Sequence, residues 1–93
     1  MHRFLVHRTG DHVGVAVEDV QRGDEIYGVY MDTDGTTEPL VARDDVPLGH
    51  KIALRDLAEG AEVVEYGVRI GLTRTPVAAG AHVHTHNLKS ARW

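Results

Sequence analysis

The chain contains no cysteine, so neither a disulfide nor a thiolate metal site can contribute to its stability. It also lacks a long apolar run. Near the start only Phe4, Leu5 and Val6 are consecutive hydrophobics, too few for the core of a secretory signal. Nowhere does the sequence approach the ~18 apolar residues that cross a bilayer as a helix. A cytoplasmic protein is expected, and the absence of cysteine agrees with that compartment. Aromatic residues make up 5% of the chain, no basic run is interleaved with them, and the formal net charge is -4, which together argue against nucleic acid as a partner. Signatures of the Gly-x-Ser-x-Gly, phosphate-binding-loop and dinucleotide-binding kinds are missing. Asp32 and Asp34 are not followed by a glutamate at the distance a calcium loop requires.

What is present fits one small globular domain over residues 1–93, with 42% hydrophobic and 26% charged residues. A domain near this size buries roughly 60–70% of the surface that its unfolded chain exposes, so its stability must come from the apolar core or from a partner. The charge is unevenly placed. Residues 1–65 hold all 14 acids and six bases, a net of -8, whereas residues 66–93 carry Arg69, Arg74, Lys89 and Arg92 with no acid, a net of +4. An electropositive end on an acidic domain suits an anion site or a docking surface, although a short chain can also acquire such asymmetry without a function.

A short motif recurs four times: an apolar residue, two variable positions, glycine, two variable positions and a β-branched residue. The copies run from Val20 through Gly23 to Ile26, from Val46 through Gly49 to Ile52, from Leu57 through Gly60 to Val63, and from Val77 through Gly80 to Val83. Each glycine sits where a turn needs positive φ, and each β-branched residue suits the first positions of a strand. The unit is a turn that launches a strand. Asp19 and Asp56 are placed to cap single helical turns over Asp19–Arg22 and Asp56–Glu59.

Further strands are expected where Val13, Val15 and Val17 alternate with smaller or polar residues, and over Ile26–Met31, Thr36–Ala42, Val63–Tyr66, Val68–Thr73 and His82–Asn87. Asp34-Gly35 marks a hairpin turn, and Gly67 and Gly71 mark kinks or bulges. The fold class is therefore mainly β, with short bent strands and one or two single-turn helices. Residues 88–93 are expected to be loose unless a partner holds them.

The chemistry concentrates in two segments. In His82-Val83-His84-Thr85-His86-Asn87, an extended strand would project His82, His84 and His86 from one face. Three imidazoles can bind a divalent metal, transfer protons or hold an anion, or they can be half-exposed residues of an edge strand. Since i and i+2 side chains stand about 6–7 Å apart, three could share one metal only if the strand bends. Gly49-His50-Lys51 puts an imidazole and an ammonium side by side after a turn glycine, which is either a ligand-binding loop or one more turn-strand unit.

The succession Gly49-His50-Lys51-Ile52-Ala53-Leu54, Asp56-Leu57, Gly60, Tyr66-Gly67, Ile70-Gly71 and Gly80-x-His82-Val83-His84-x-His86-Asn87 resembles the N-terminal, SAF-type domain of the altronate and galactarate dehydratase family. That resemblance implies a β-clip fold and a role in eliminating water or sulfite from a small anionic hydroxy-carboxylate, together with a large catalytic subunit or domain. Some relatives, such as sulfolactate sulfo-lyase, are split, with this domain as a separate small subunit. A divalent metal, usually iron(II), is implied as cofactor. The candidate metal ligands are His82, His84 and His86, the candidate catalytic residues His84, His86, His50 and Lys51, and the candidate substrate-binding residues Asn87 and Lys51. A homo-oligomer is compatible with the sequence. The alternative is a non-catalytic SAF-type module that binds a ligand or acts as a chaperone, since fold alone does not fix function.

Overall fold

A computed structural model describes residues 2–90. Nine short strands occur among them: β1 (His2–Val6), β2 (Val13–Ala16), β3 (Glu25–Tyr30), β4 (Leu40–Val41), β5 (Lys51–Ala53), β6 (Glu62–Glu65), β7 (Val68–Thr73), β8 (His82–Val83) and β9 (Leu88–Ser90). Six form one sheet in the order β4-β3-β1-β2-β5-β8, and three form another in the order β6-β7-β9. Only β1 and β3 run parallel; the remaining pairs are antiparallel. The mainly β, β-clip expectation holds.

The repeated motif organises this architecture. All four glycines have positive φ, at 93° for Gly23, 84° for Gly49, 76° for Gly60 and 87° for Gly80. In each unit the residue after the glycine donates its N–H to the carbonyl three residues back, as in Asp24 to Gln21 (3.0 Å) and His50 to Pro47 (2.9 Å). Positive φ at the third position of such a turn identifies type II geometry, which explains the glycine.

The units then clasp each other two by two. Val20 and Val46 exchange both backbone hydrogen bonds (2.9 and 2.8 Å), and so do Leu57 and Val77 (2.7 and 2.8 Å). The turn glycines join in: Gly23 donates to Ala42 and Gly49 to Ala16, while Gly60 donates to Thr73 and Gly80 to Ala53. The apolar ends of the first pair, Val20, Ile26, Val46 and Ile52, lie in one buried cluster around Phe4, whereas Leu57, Val63, Val77 and Val83 from the second pair lie in another. Strands β2 and β5 belong to both, since Val13 and Ala53 face the second cluster and Ala16 and Ile52 the first.

Several expectations change. No helix occurs among the described residues. Asp19 and Asp56 do not cap their own turns but those of their partners: Asp19 Oδ1 accepts from Leu48 N–H and Asp56 Oδ1 from Ala79 N–H, both at 2.9 Å. The carboxylate satisfies an orphan amide across the clasp instead of within a helix. The expected alternation of Val13, Val15 and Val17 is broken: in β2 Val13, Gly14 and Ala16 are buried and Val15 is half-buried, with the Phe4 ring packed where a Cβ on Gly14 would sit, and Val17 beyond the strand is exposed. The return segment Thr36–Ala42 is a strand only at Leu40–Val41, with a lone bridge at Thr36 and Pro39 between them. Gly67 is not a kink but the second residue of the tight turn joining β6 to β7. A bulge does occur next to Gly71, where Ile70 is the extra residue of β7. The expected strand His82–Asn87 stops at Val83, and Leu88–Ser90, expected to be loose, pair with β7. Residues 91–93 of that tail lie outside the described residues.

The β6–β7 turn has its own anchor. Tyr66 (φ 59°) and Gly67 (φ 72°) both take the left-handed conformation that this hairpin requires. The buried Asp11 carboxylate accepts N–H groups from Tyr66 (2.9 Å), Gly67 (3.0 Å) and Arg8 (3.2 Å), offsetting the strain at Tyr66 and fixing the end of β6.

The two kinds of glycine position separate experimentally. A Cβ at Gly49 meets nothing within 4 Å, so Gly49→Ala should cost only the backbone penalty, about 1–2 kcal/mol. At Gly80 a Cβ would also run into the Val41 carbonyl, so Gly80→Ala should cost clearly more. Urea unfolding of the two variants checks this, and equal or negligible losses would contradict the clasped-turn description.

Candidate functional site

The β5–β8 pairing joins the two clasps and builds the site. Its antiparallel register sets Ile52 opposite His82 and Lys51 opposite Val83. Continued by one residue, the same register sets His50 across from His84. The His50 and His84 rings are 4.8 Å apart between centroids, and those of His50 and His82 are 5.0 Å apart. His50 Nδ1 and His82 Nε2 share a hydrogen bond of 2.9 Å. One nitrogen from each of His50, His82 and His84 lies within 4.8 Å of the others.

The histidines after Val83 are gathered by a turn, not by strand alternation. Asn87 makes that turn: its Oδ1 accepts from His84 N–H (2.9 Å) and its Nδ2 donates to the His82 carbonyl (2.8 Å), while Asn87 N–H and Leu88 N–H both reach the His84 carbonyl (3.1 and 2.9 Å). Asn87 is buried, with its side-chain amide engaged on backbone, which gives it the place of a turn-forming residue. His86 is exposed on the turn; its ring lies 5.4 Å from that of His82 but outside the close set of three nitrogens.

Beside the cluster opens a cleft of about 460 Å³. Lys51, Glu65, Arg74, His84, Thr85 and Ser90 supply its polar lining, and Ile70, Val83 and Leu88 its apolar wall. Glu65 is the element that the sequence did not reveal. Its side chain is only 7% exposed and lies 3.7 Å from Lys51 Nζ and 3.7 Å from His7 Nε2. The His7 ring in turn stacks on Tyr66, 3.8 Å away at 15°. A buried carboxylate needs such partners, because an unpaired charge there is strongly disfavoured. Nothing in the local pattern marks Glu65, one of two glutamates flanking a valine pair, as the buried one. Of the basic C-terminal residues, Arg74 reaches the cleft, whereas Arg69 pairs with Glu62 at 3.3 Å. Arg92 lies outside the described residues.

Chemically, the face offers cations at Lys51 and Arg74 for an anionic group, and imidazoles able to carry protons or ligate a metal. Three neutral imidazoles suit a first-row divalent ion such as iron(II), and the donor set therefore fits the metal that the resemblance implies. His82 is held below its ordinary value of 6.5, first by burial and then by the positive charge that His50, His86 and His84 would place beside it, with Asp44 opposing.

The model of the altronate/galactarate dehydratase SAF domain matches residues 2–91. The chain belongs to that family. Among relatives of this SAF domain, the (2R)-sulfolactate sulfo-lyase subunit alpha of Chromohalobacter salexigens is 45% identical over 91 residues, covering 97% of the chain and 96% of the relative. The corresponding subunit of Paracoccus pantotrophus is 43% identical over 61 residues, which is 66% of the chain and 91% of that protein. Altronate dehydratase of Escherichia coli is 44% identical over 80 residues, 86% of this chain but 15% of the enzyme. The chain is thus about as long as the first of these subunits, longer than the second, and matches a small fraction of the dehydratase. No helix among its described residues is long and apolar enough to cross a membrane.

The His82 environment has a consequence for stability. Its folded-state value lies below the unfolded one, so as pH falls through 6.5 the unfolded chain takes up a proton that the folded chain resists. Stability from this residue is complete above 6.5 and is lost as pH falls toward the folded value. Between about pH 7.5 and about pH 5, the native chain should lose more stability in urea titrations than His82→Gln. Identical losses would show that the imidazole is not in this environment.

Proposed function

We propose that this SAF domain is the small subunit, or the N-terminal part, of a hydroxy-acid lyase that acts with a large catalytic partner to eliminate water or sulfite from a small anionic hydroxy-carboxylate. The observation that carries the reading is the cleft: Lys51 and Arg74 line it together with His84 of the imidazole cluster, in a chain that matches a sulfo-lyase subunit over nearly its whole length.

In this reading Lys51 and Arg74 bind the acidic group of the substrate. Arg74 has no ion pair among the described residues and can engage a carboxylate or sulfonate through two parallel N–H groups. Glu65 holds the Lys51 ammonium at the cleft without neutralising both cations, so the lining keeps a net positive charge. Elimination removes the proton next to the carboxylate and expels the leaving group with its bonding electron pair; a hydroxyl needs a proton to depart as water, whereas sulfite departs as the anion. His84 is the cleft imidazole able to move a proton, at the ring nitrogen that a bound metal would leave free. A bound divalent metal, iron(II) in this reading, supplies Lewis-acid stabilisation of the enolate-like carboxylate. Its candidate holders are the clustered imidazoles. The large partner contributes the remaining substrate contacts, and a cytoplasmic setting suits such metabolism.

Reconstitution tests this. The chain alone should show no turnover, and addition of a large dehydratase-type subunit should give elimination from (2R)-sulfolactate, altronate or galactarate. In the assembled enzyme His84→Ala should lower turnover by ~10²-fold or more, while changing stability by no more than about 0.5 kcal/mol, as expected for an exposed side chain. Turnover by the chain alone, or unchanged turnover in the His84→Ala assembly, would contradict the assignment.

A further inference from the structure

We propose that His50, His82 and His84 form a binding site for a first-row divalent transition-metal ion within this chain, without ligands from a partner. The inference deepens the functional reading above and rests on it only for what the bound ion would act on.

The ligand set differs from the one that strand periodicity suggests. Periodicity groups His82, His84 and His86; the fold replaces His86 by His50, because β8 ends at Val83 and the β5–β8 register brings His50 alongside. Two ligands held by one ion at about 2.0–2.1 Å have their donor atoms about 3 Å apart. His50 Nδ1 and His82 Nε2 already stand 2.9 Å apart, and His84 offers a third nitrogen within 4.8 Å. The hydrogen-bond proton between the first two rings moves to the opposite nitrogen of its own imidazole when the ion binds, so three neutral donors are presented without loss of a proton.

Both ligand segments are fixed before metal arrives. His50 sits in a type II turn clasped at Gly49, and His84 in the turn made by Asn87. An ordered site does not have to spend binding energy on folding its loops. No carboxylate belongs to the set, which favours iron, cobalt, nickel, copper or zinc over calcium or magnesium. Three protein ligands leave coordination positions open, as in catalytic metal sites. His84 also lines the cleft with Lys51 and Arg74, so an anionic oxygen ligand entering there is the chemistry that completes the shell.

The test is calorimetric titration of the untagged, metal-free chain with Co²⁺. One equivalent should bind saturably; His50→Ala, His82→Ala and His84→Ala should each weaken binding about tenfold or more, and His86→Ala by less than about threefold. Absence of saturable binding at millimolar Co²⁺, wild-type affinity in His50→Ala, or a loss in His86→Ala as large as in His84→Ala would overturn the site. Should a variant fail to fold, the ring ¹⁵N resonances of the native chain decide: Zn²⁺ should shift those of His50, His82 and His84, and an unshifted His50 overturns the proposal. Metal binding together with a failed reconstitution would overturn the lyase reading alone, whereas reconstituted activity without metal binding by the chain would overturn this inference alone.

Discussion

Reciprocal backbone pairing between glycine turns is the constraint on which the rest of this structure depends. Strands of two to six residues cannot satisfy many of their own polar groups, and a chain without cysteine has no covalent staple. Clasping solves both problems. At the centre of each clasp, two apolar residues exchange both backbone bonds, and each turn glycine gives its N–H to the segment that leads into the partner unit. Where the spacing allows, a carboxylate takes a further amide: Asp45 receives Arg22 N–H as Asp19 receives Leu48 N–H. In the second clasp only Asp56 plays this role, because the position matching Asp45 is Pro76. The buried β-branched residues then follow from the turns, each entering the apolar cluster under its own clasp.

The site lies on the seam between the clasps, and this explains its composition. His50 and Lys51 leave the first clasp, and His82 and His84 belong to the strand and turn that leave the second, so no local segment contains the whole cluster. The opposite side of the cleft takes Glu65 from β6, Ile70 from β7 and Leu88 and Ser90 from β9, and the β6–β7 junction is fixed by Asp11. A buried carboxylate at Glu65, paired with Lys51 and near His7, lets two cations face one cleft without leaving the interior acid unpaired. The electrostatic asymmetry of the sequence is realised here mainly through Arg74.

The four-fold motif, the positive φ of its glycines and the extent of β7 were legible because each depends on a few consecutive residues. Pairing was not. That Asp19 serves Leu48, 29 residues away, depends on which unit meets which, and a helical cap was the local alternative. The histidine segment was singled out by composition, but alternation is not what brings its rings together: Asn87 bends the chain after Val83, and His50 arrives through a pairing that no spacing encodes. Glu65 stayed hidden because its burial depends on Lys51 and His7, which lie 14 and 58 residues earlier in the sequence. The family motif narrowed the chemistry more than the residue pattern could, since three alternating histidines are equally at home on an exposed edge.

The central claim is that the seam brings His50 against His82 and His84 in the chain by itself, before any metal or partner is added. Proton NOE spectroscopy of the metal-free chain measures this contact directly, because ring centroids 4.8–5.0 Å apart place ring protons within its range. Cross-peaks from the His50 ring to the rings of both His82 and His84 are expected. A His50 ring that shows contacts only to Gly49, Lys51 and other residues of its own turn would contradict the account.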